Sequence, residues 1–143
     1  MITGMHHTGF VVRDLGSCVA FYRDVIGLTA ADPIIRIGPG ISQVVGYDQT
    51  ELHRVFLSIA DGHVLELIQY VHPLGADRPT EERNTIGATH LAFEVDDIAK
   101  TFQLLVDRGA QGMNPPVEIL PGRTACYLQD PEGNWIELLE ISQ

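Results

Sequence analysis

The sequence predicts an α+β fold of two tandem modules, each a strand, a helix and three further strands. Two observations carry this reading, and both are internal repeats. His7-Thr-Gly-Phe10-Val-Val12-Arg-Asp14-Leu15 is matched by His90-Leu-Ala-Phe93-Glu-Val95-Asp-Asp97-Ile98, with Phe, Val, Asp and an aliphatic residue at the same offsets from the histidine. The segment Gly62-His-Val-Leu-Glu66-Leu67-Ile68 is matched by Gly133-Asn-Trp-Ile-Glu137-Leu138-Leu139.

Periodicity and punctuation then place the elements. In the first module Met5 to Val12 reads as a strand, and Asp14 stands where it can cap a helix. That helix, from about Leu15 to Val25, carries Val19, Phe21, Tyr22 and Ile26 on one apolar face, and Gly27 ends it as a left-handed cap. After Asp32-Pro33, Ile34 to Ile37 makes a short strand before the Gly38-Pro39-Gly40 turn. His53 to Ile59 alternates, and Asp61-Gly62 turns the chain into a strand from Val64 to Tyr70. The second module repeats the order. A strand spans Ala88 to Val95 and a helix runs from about Asp97 to Arg108, stopped by Gly109. Short strands come next at Val117 to Leu120 and Arg123 to Leu128; the turn Asp130-Pro-Glu-Gly133 leads into a last strand, Trp135 to Ile141. The modules are expected at residues 1–71 and 87–143. The stretch 72–86, rich in Pro and charge and without periodicity, reads as a surface linker.

A chain of 143 residues with 45% hydrophobic composition can bury a sizeable core. Its formal net charge of −10 argues against a nucleic-acid partner, which needs a basic stripe. No run of 18 apolar residues is present, so no membrane partner is expected. The N-terminal Met-Ile-Thr-Gly-Met-His-His lacks the basic and apolar regions of a signal peptide. Cys18 and Cys126, without Cys-x-x-Cys spacing, read as buried thiols in a reducing cytoplasm.

Strand alternation turns the repeat into a statement about chemistry. If Ile136 and Leu138 meet the helix, then Trp135, Glu137 and Leu139 face the other way. By the same parity Glu66, with Val64 and Ile68, faces away from Leu65 and Leu67. A carboxylate in so apolar a run needs a partner, because burying it unpaired costs several kcal/mol, on the order given for buried charges. For one glutamate that partner is often an arginine or a backbone donor. For two, at equivalent positions and each with an equivalent histidine, the pattern points to a metal. His7, Glu66, His90 and Glu137 are therefore the candidate ligands of one divalent ion, chosen from Zn, Ni, Co, Mn and Fe(II). His6 should point away from His7, and His53, His63 and His72 read as exposed or locally bonded. If Val55, Leu57 and Ile59 pack under the helix, Arg54, Phe56 and Ser58 line the site face. Arg54 can grip a carboxylate or phosphate, or form a rim salt bridge. Arg123, Tyr127 and Trp135 are the corresponding substrate-binding candidates of the second half.

This arrangement resembles the vicinal-oxygen-chelate superfamily, which includes glyoxalase I, methylmalonyl-CoA epimerase, extradiol dioxygenases and fosfomycin and bleomycin resistance proteins. Phe21-Tyr-Arg-Asp-Val-Ile-Gly27 and Asp130-Pro-Glu-Gly-Asn-Trp-Ile-Glu137 look like its two recurrent signatures. The resemblance implies that both modules curl into one eight-stranded, cup-shaped sheet with helices outside, around a metal that binds adjacent substrate oxygens. It also implies a homodimer, with the paired modules drawn from one chain or from two. Glu66 stands where glyoxalase I and the epimerases place a fourth ligand. That favours proton transfer beside a carbonyl, through a metal-stabilised enediolate, on a small acid, thioester or thiohemiacetal. Glu137 is the first candidate base and Glu66 the second. Two departures stand out: Thr-Ala-Ala-Asp-Pro comes after Gly27-Leu28, where glyoxalase I has leucine and basic residues, and Arg54-Val-Phe-Leu-Ser58 carries no second epimerase-type glutamate. The alternatives are an extradiol-type iron dioxygenase using His7, His90 and Glu137, and a protein that binds a small molecule or antibiotic without turnover.

Overall fold

A computed structural model describes residues 1–142. The chain forms two compact units, Met1–Asp77 and Arg78–Gln143. Among the described residues nine strands pair into two sheets, five strands in the first unit and four in the second, where the resemblance implies eight strands in all.

In the first unit β1 (Thr8–Val11) runs parallel to β5 (Val64–His72), and β5 pairs antiparallel with β4 (Glu51–Ser58). β2 (Thr29–Ala30) and β3 (Ile34–Ile37) both pair with β4. Helix α1 (Leu15–Ala20) comes after β1, with the Asp14 carboxylate accepting from the Ser17 backbone N–H as its cap. The helix then widens into a π-helical turn, Phe21–Ile26, in which the Gly27 N–H donates to the Tyr22 carbonyl. The wider turn lets the consecutive rings of Phe21 and Tyr22 both be buried, edge to face at 5.3 Å. Gly27 stops it at φ 97°, a left-handed conformation that a side chain disfavours. A short helix α2 (Pro39–Val45) lies between β3 and β4. α1 packs on β4 and β5. There Phe10, Val55, Leu57, Leu65 and Leu67 are all buried, each burial being worth about 1.5–3 kcal/mol.

The second unit repeats this plan. β6 (His90–Glu94) runs parallel to β9 (Trp135–Ile141), and antiparallel β8 (Arg123–Gln129) and β7 (Gln111–Leu120) complete the sheet beyond β9. Helix α3 (Ile98–Asp107) starts at Asp97, whose carboxylate accepts from the Lys100 N–H. It lies close on β7: a Cβ added at Gly112 would come 3.0 Å from the Val106 side chain and 3.1 Å from Phe102. Cys18 and Cys126 are both buried thiols. Among the described residues no helix is long and apolar enough to cross a membrane.

Several elements differ from expectation, β2 and the π-helical turn among them. β1 begins at Thr8, so His6 and His7 precede the strand. α2, with Pro39 in its first turn, occupies what reads in the sequence as a bare turn. Ile59 lies past the end of β4 and is 40% exposed, so it does not pack under α1. β7 extends through Pro115-Pro116, which its place at the sheet edge permits.

Candidate functional site

In β5 the register fixes where Glu66 points. It is opposite Phe56 on β4 and Gly9 on β1, while Leu65 and Leu67 are opposite Leu57 and Val55. Glu66 is therefore on the face away from α1, and it is 4% exposed. His7, two residues before Gly9, reaches the same face and places its Nε2 3.0 Å from Glu66 Oε2. The other carboxylate oxygen, Oε1, accepts from Arg54 Nη1 at 2.7 Å. Arg54 also lies over the Phe56 ring at 5.1 Å, and its Nε is buried without an acceptor. Glu66 thus joins an arginine through one oxygen and a histidine through the other.

The second unit reproduces the histidine–glutamate pair. Ala92 is opposite Glu137 and His90 opposite Trp135, so His90, Glu137, Trp135 and Tyr127 share a face. His90 Nε2 lies 3.1 Å from Glu137 Oε2. Tyr127 stands to Glu137 as Phe56 stands to Glu66, and each ring meets its histidine edge-on with centroids 5.7 Å apart. Burial pushes the Tyr127 phenol up, as do the charge of Glu137 and a hydrogen bond to it, against the opposing Arg83 guanidinium. The phenol therefore stays protonated beside the carboxylate.

The distances within the two pairs bear on a metal. Two donor atoms each about 2.1 Å from one ion and at right angles stand about 3.0 Å apart. The 3.0 Å and 3.1 Å separations match that bite and equally an imidazole–carboxylate hydrogen bond, so the pairs fit an ion without requiring one. The Arg54 contact leaves Glu66 Oε2 available, in the way that outer hydrogen bonds commonly orient a ligating carboxylate. Among the described residues no group of three or more His, Cys, Asp or Glu side chains is arranged to hold a metal ion.

The remaining candidates separate. Arg54 and Phe56 touch the first pair, Ser58 is exposed at the end of β4, and Tyr127 and Trp135 adjoin the second. Arg123 opens β8 four residues from Tyr127, about 13 Å along an extended strand. His6 corrects its expectation: lying before β1 it escapes strand alternation, and its ring meets that of His7 with Nδ1 atoms 2.8 Å apart. His53 and His63 are bonded locally, to Glu51 and Asp61. Sequence reasoning missed Arg83, whose guanidinium stacks on Tyr127 at 4.7 Å and Trp135 at 4.5 Å. It also missed Arg78, bonded to Asn134 at 2.6 Å, and Glu81, whose carbonyl accepts from the Trp135 indole at 3.3 Å. Nothing in that aperiodic stretch signals these contacts.

Two modules of one plan, each with a histidine–glutamate pair, define a class of protein, and the comparisons agree with it. The glyoxalase/bleomycin resistance protein/dioxygenase superfamily profile matches residues 4–138, and the chain belongs to that superfamily. It is 29% identical to lactoylglutathione lyase of Haemophilus influenzae, over 94% of this chain and 90% of that protein. It is 28% identical to 2-epi-5-epi-valiolone epimerase of an Actinomyces species, over 96% of this chain and 79% of the relative. A crystal structure of a glyoxalase family protein from Bacillus cereus superposes with a TM-score of 0.90 at 25% identity, covering 100% of this chain and 97% of that one.

Proposed function

We propose that this protein is a divalent-metal-dependent lyase or isomerase that moves a proton beside a carbonyl on a small acid, thioester or thiohemiacetal. The observation that carries the proposal is the duplicated histidine–glutamate pair, with separations of 3.0 and 3.1 Å. The four residues His7, Glu66, His90 and Glu137 are the ligand set, drawn from one chain or from two. When bound, a divalent ion supplies Lewis acidity to a substrate carbonyl oxygen. Glu137 takes the proton at its carboxylate. It is the freer of the two glutamates, with 18% of its side chain exposed against 5% for Glu66, and no guanidinium bonds to it among the described residues. Glu66, held by Arg54, anchors His7. Tyr127, opposite Glu137 in the strand pairing, places its phenol on the same face as that carboxylate. The lyase and epimerase among the relatives support chemistry of this class.

One observation favours a second reading. Because Arg54 holds Glu66 through Oε1, Glu66 can serve as an arginine-bound anchor instead of a ligand, and His7, His90 and Glu137 then form a three-ligand set, with open positions suited to an iron dioxygenase. The test is calorimetric titration of EDTA-treated protein with Mn(II), Ni(II) and Fe(II), and then assays in D2O. One ion per ligand set, lost in His7→Ala and His90→Ala, with solvent deuterium entering a carbonyl product, is the expected result. Oxygen uptake with a catechol and Fe(II) establishes the second reading instead. Ligand binding with neither reaction leaves a non-catalytic binding protein.

A further inference from the structure

Arg83 is set apart among the cations of this acidic chain. It is exposed, and among the described residues it makes no ion pair or hydrogen bond; instead it stacks on Tyr127 at 4.7 Å and Trp135 at 4.5 Å. The two rings meet edge to face with centroids 6.1 Å apart, so they form a corner against which the guanidinium is held. The position of Trp135 is itself fixed, since its indole N–H donates to the Glu81 carbonyl. Arg83, Ala88, Thr89, His90, Tyr127 and Trp135 together line a recess of about 160 Å³. Stacking restrains the guanidinium plane without using its N–H groups. The fork is therefore preorganised and lacks an acceptor, in a protein with 19 acidic and 9 basic side chains of Lys and Arg type.

We propose that Arg83 anchors the carboxylate of a small substrate in this recess, beside His90. The proposal rests on the proton-transfer reading and narrows its substrate class to acids. The recess is well below the roughly 300 Å³ at which pockets for drug-sized ligands begin, which suits a small acid. A planar carboxylate meets the two parallel N–H groups of a fixed guanidinium, which a neutral amide of the same shape cannot do as well. Arg83 thereby selects the acid and orients the carbon next to its carboxyl group towards the His90–Glu137 pair.

Trp135 is the only tryptophan in the chain, so its fluorescence reports directly on the recess. The experiment titrates EDTA-treated protein with D- and L-lactate, with lactamide as the neutral isostere, at low ionic strength. A saturable fluorescence change with at least one lactate enantiomer and a much weaker response to lactamide is expected. Arg83→Gln should weaken lactate binding about tenfold or more. Arg83→Lys should recover only part of it, because charge returns without the fork. Arg108→Gln, an exposed position at the end of α3, should bind as the parent does. Equal binding of lactate and lactamide, an unchanged affinity in Arg83→Gln, or no saturable response to either enantiomer overturns the proposal. Metal titration of Arg83→Gln separates the two readings: retained metal binding with unaltered lactate binding refutes the anchor alone, while a parent protein that binds no divalent ion refutes the metal reading and leaves the anchor to the fluorescence result. Circular dichroism of each variant checks the fold, which replacing an exposed side chain should leave intact.

Discussion

Glu66 and Glu137 occupy equivalent positions in their strands but are held differently, and substitution should separate them. Glu137→Gln is expected to lower kcat about 10²- to 10⁴-fold with little change in substrate affinity, since a base acts mainly in the transition state. Metal content must be measured alongside, because the same side chain is a proposed ligand. Arg54→Met leaves the buried Glu66 without its shortest hydrogen bond, and should cost about 1–3 kcal/mol in a denaturant titration. A midpoint unchanged from the parent would show that His7 alone satisfies Glu66. At Cys126, burial pushes the thiol up to about 11 from an ordinary 9.0. Between those values the unfolded chain gives up its proton while the folded one keeps it. The folded-state preference is thus complete below pH 9 and is lost as pH rises towards 11. Alkaline unfolding of Cys126→Ser, which lacks this titration, should have a shallower pH dependence over that interval.

The elements that obey local rules were legible in the sequence. Asp14 and Asp97 each precede an apolar helical face, and Gly27 and Gly109 each end one, so the caps and stops appear in both the sequence and the structure. Gly27 at φ 97° makes this testable: Gly27→Ala forces a side chain into the left-handed region and should destabilise the fold by about 1–2 kcal/mol in thermal unfolding. Strand parity likewise placed Glu66 and Glu137 on the face away from their apolar neighbours. What stayed hidden depends on context rather than pattern. α2 lies between Gly38 and Gly46, contains Gly40 and buries none of its residues, so no amphipathic signal announces it. β7 carries two prolines that deny it strand character until its edge position is known. Arg83 lies in a stretch with no period at all, and its meeting with Tyr127 and Trp135 is a tertiary event.

For the molecule as a whole, a ligand that binds only the folded state raises its stability by mass action. If the four proposed ligands hold an ion, metal at a hundred times its Kd should add about 2.7 kcal/mol, roughly 8 °C in Tm, and the shift should vanish in His90→Ala. β1 and β6 are edge strands of their sheets, and Val11 on β1 is 61% exposed, which is a surface suited to self-association. Light scattering at micromolar concentration should therefore give the mass of two chains; the mass of one would exclude the expected homodimer. The duplication also bears on the orientation of a bound molecule. Where Phe56 faces Glu66, Tyr127 faces Glu137, and where Arg54 stands in β4 the matching residue of β8 is Ala125. Two identical histidine–glutamate pairs would offer an unsymmetrical molecule two equivalent ways to bind. The Tyr127 hydroxyl and the Arg54 guanidinium, neither with a counterpart at the equivalent strand position, remove that degeneracy and decide which way round the molecule lies.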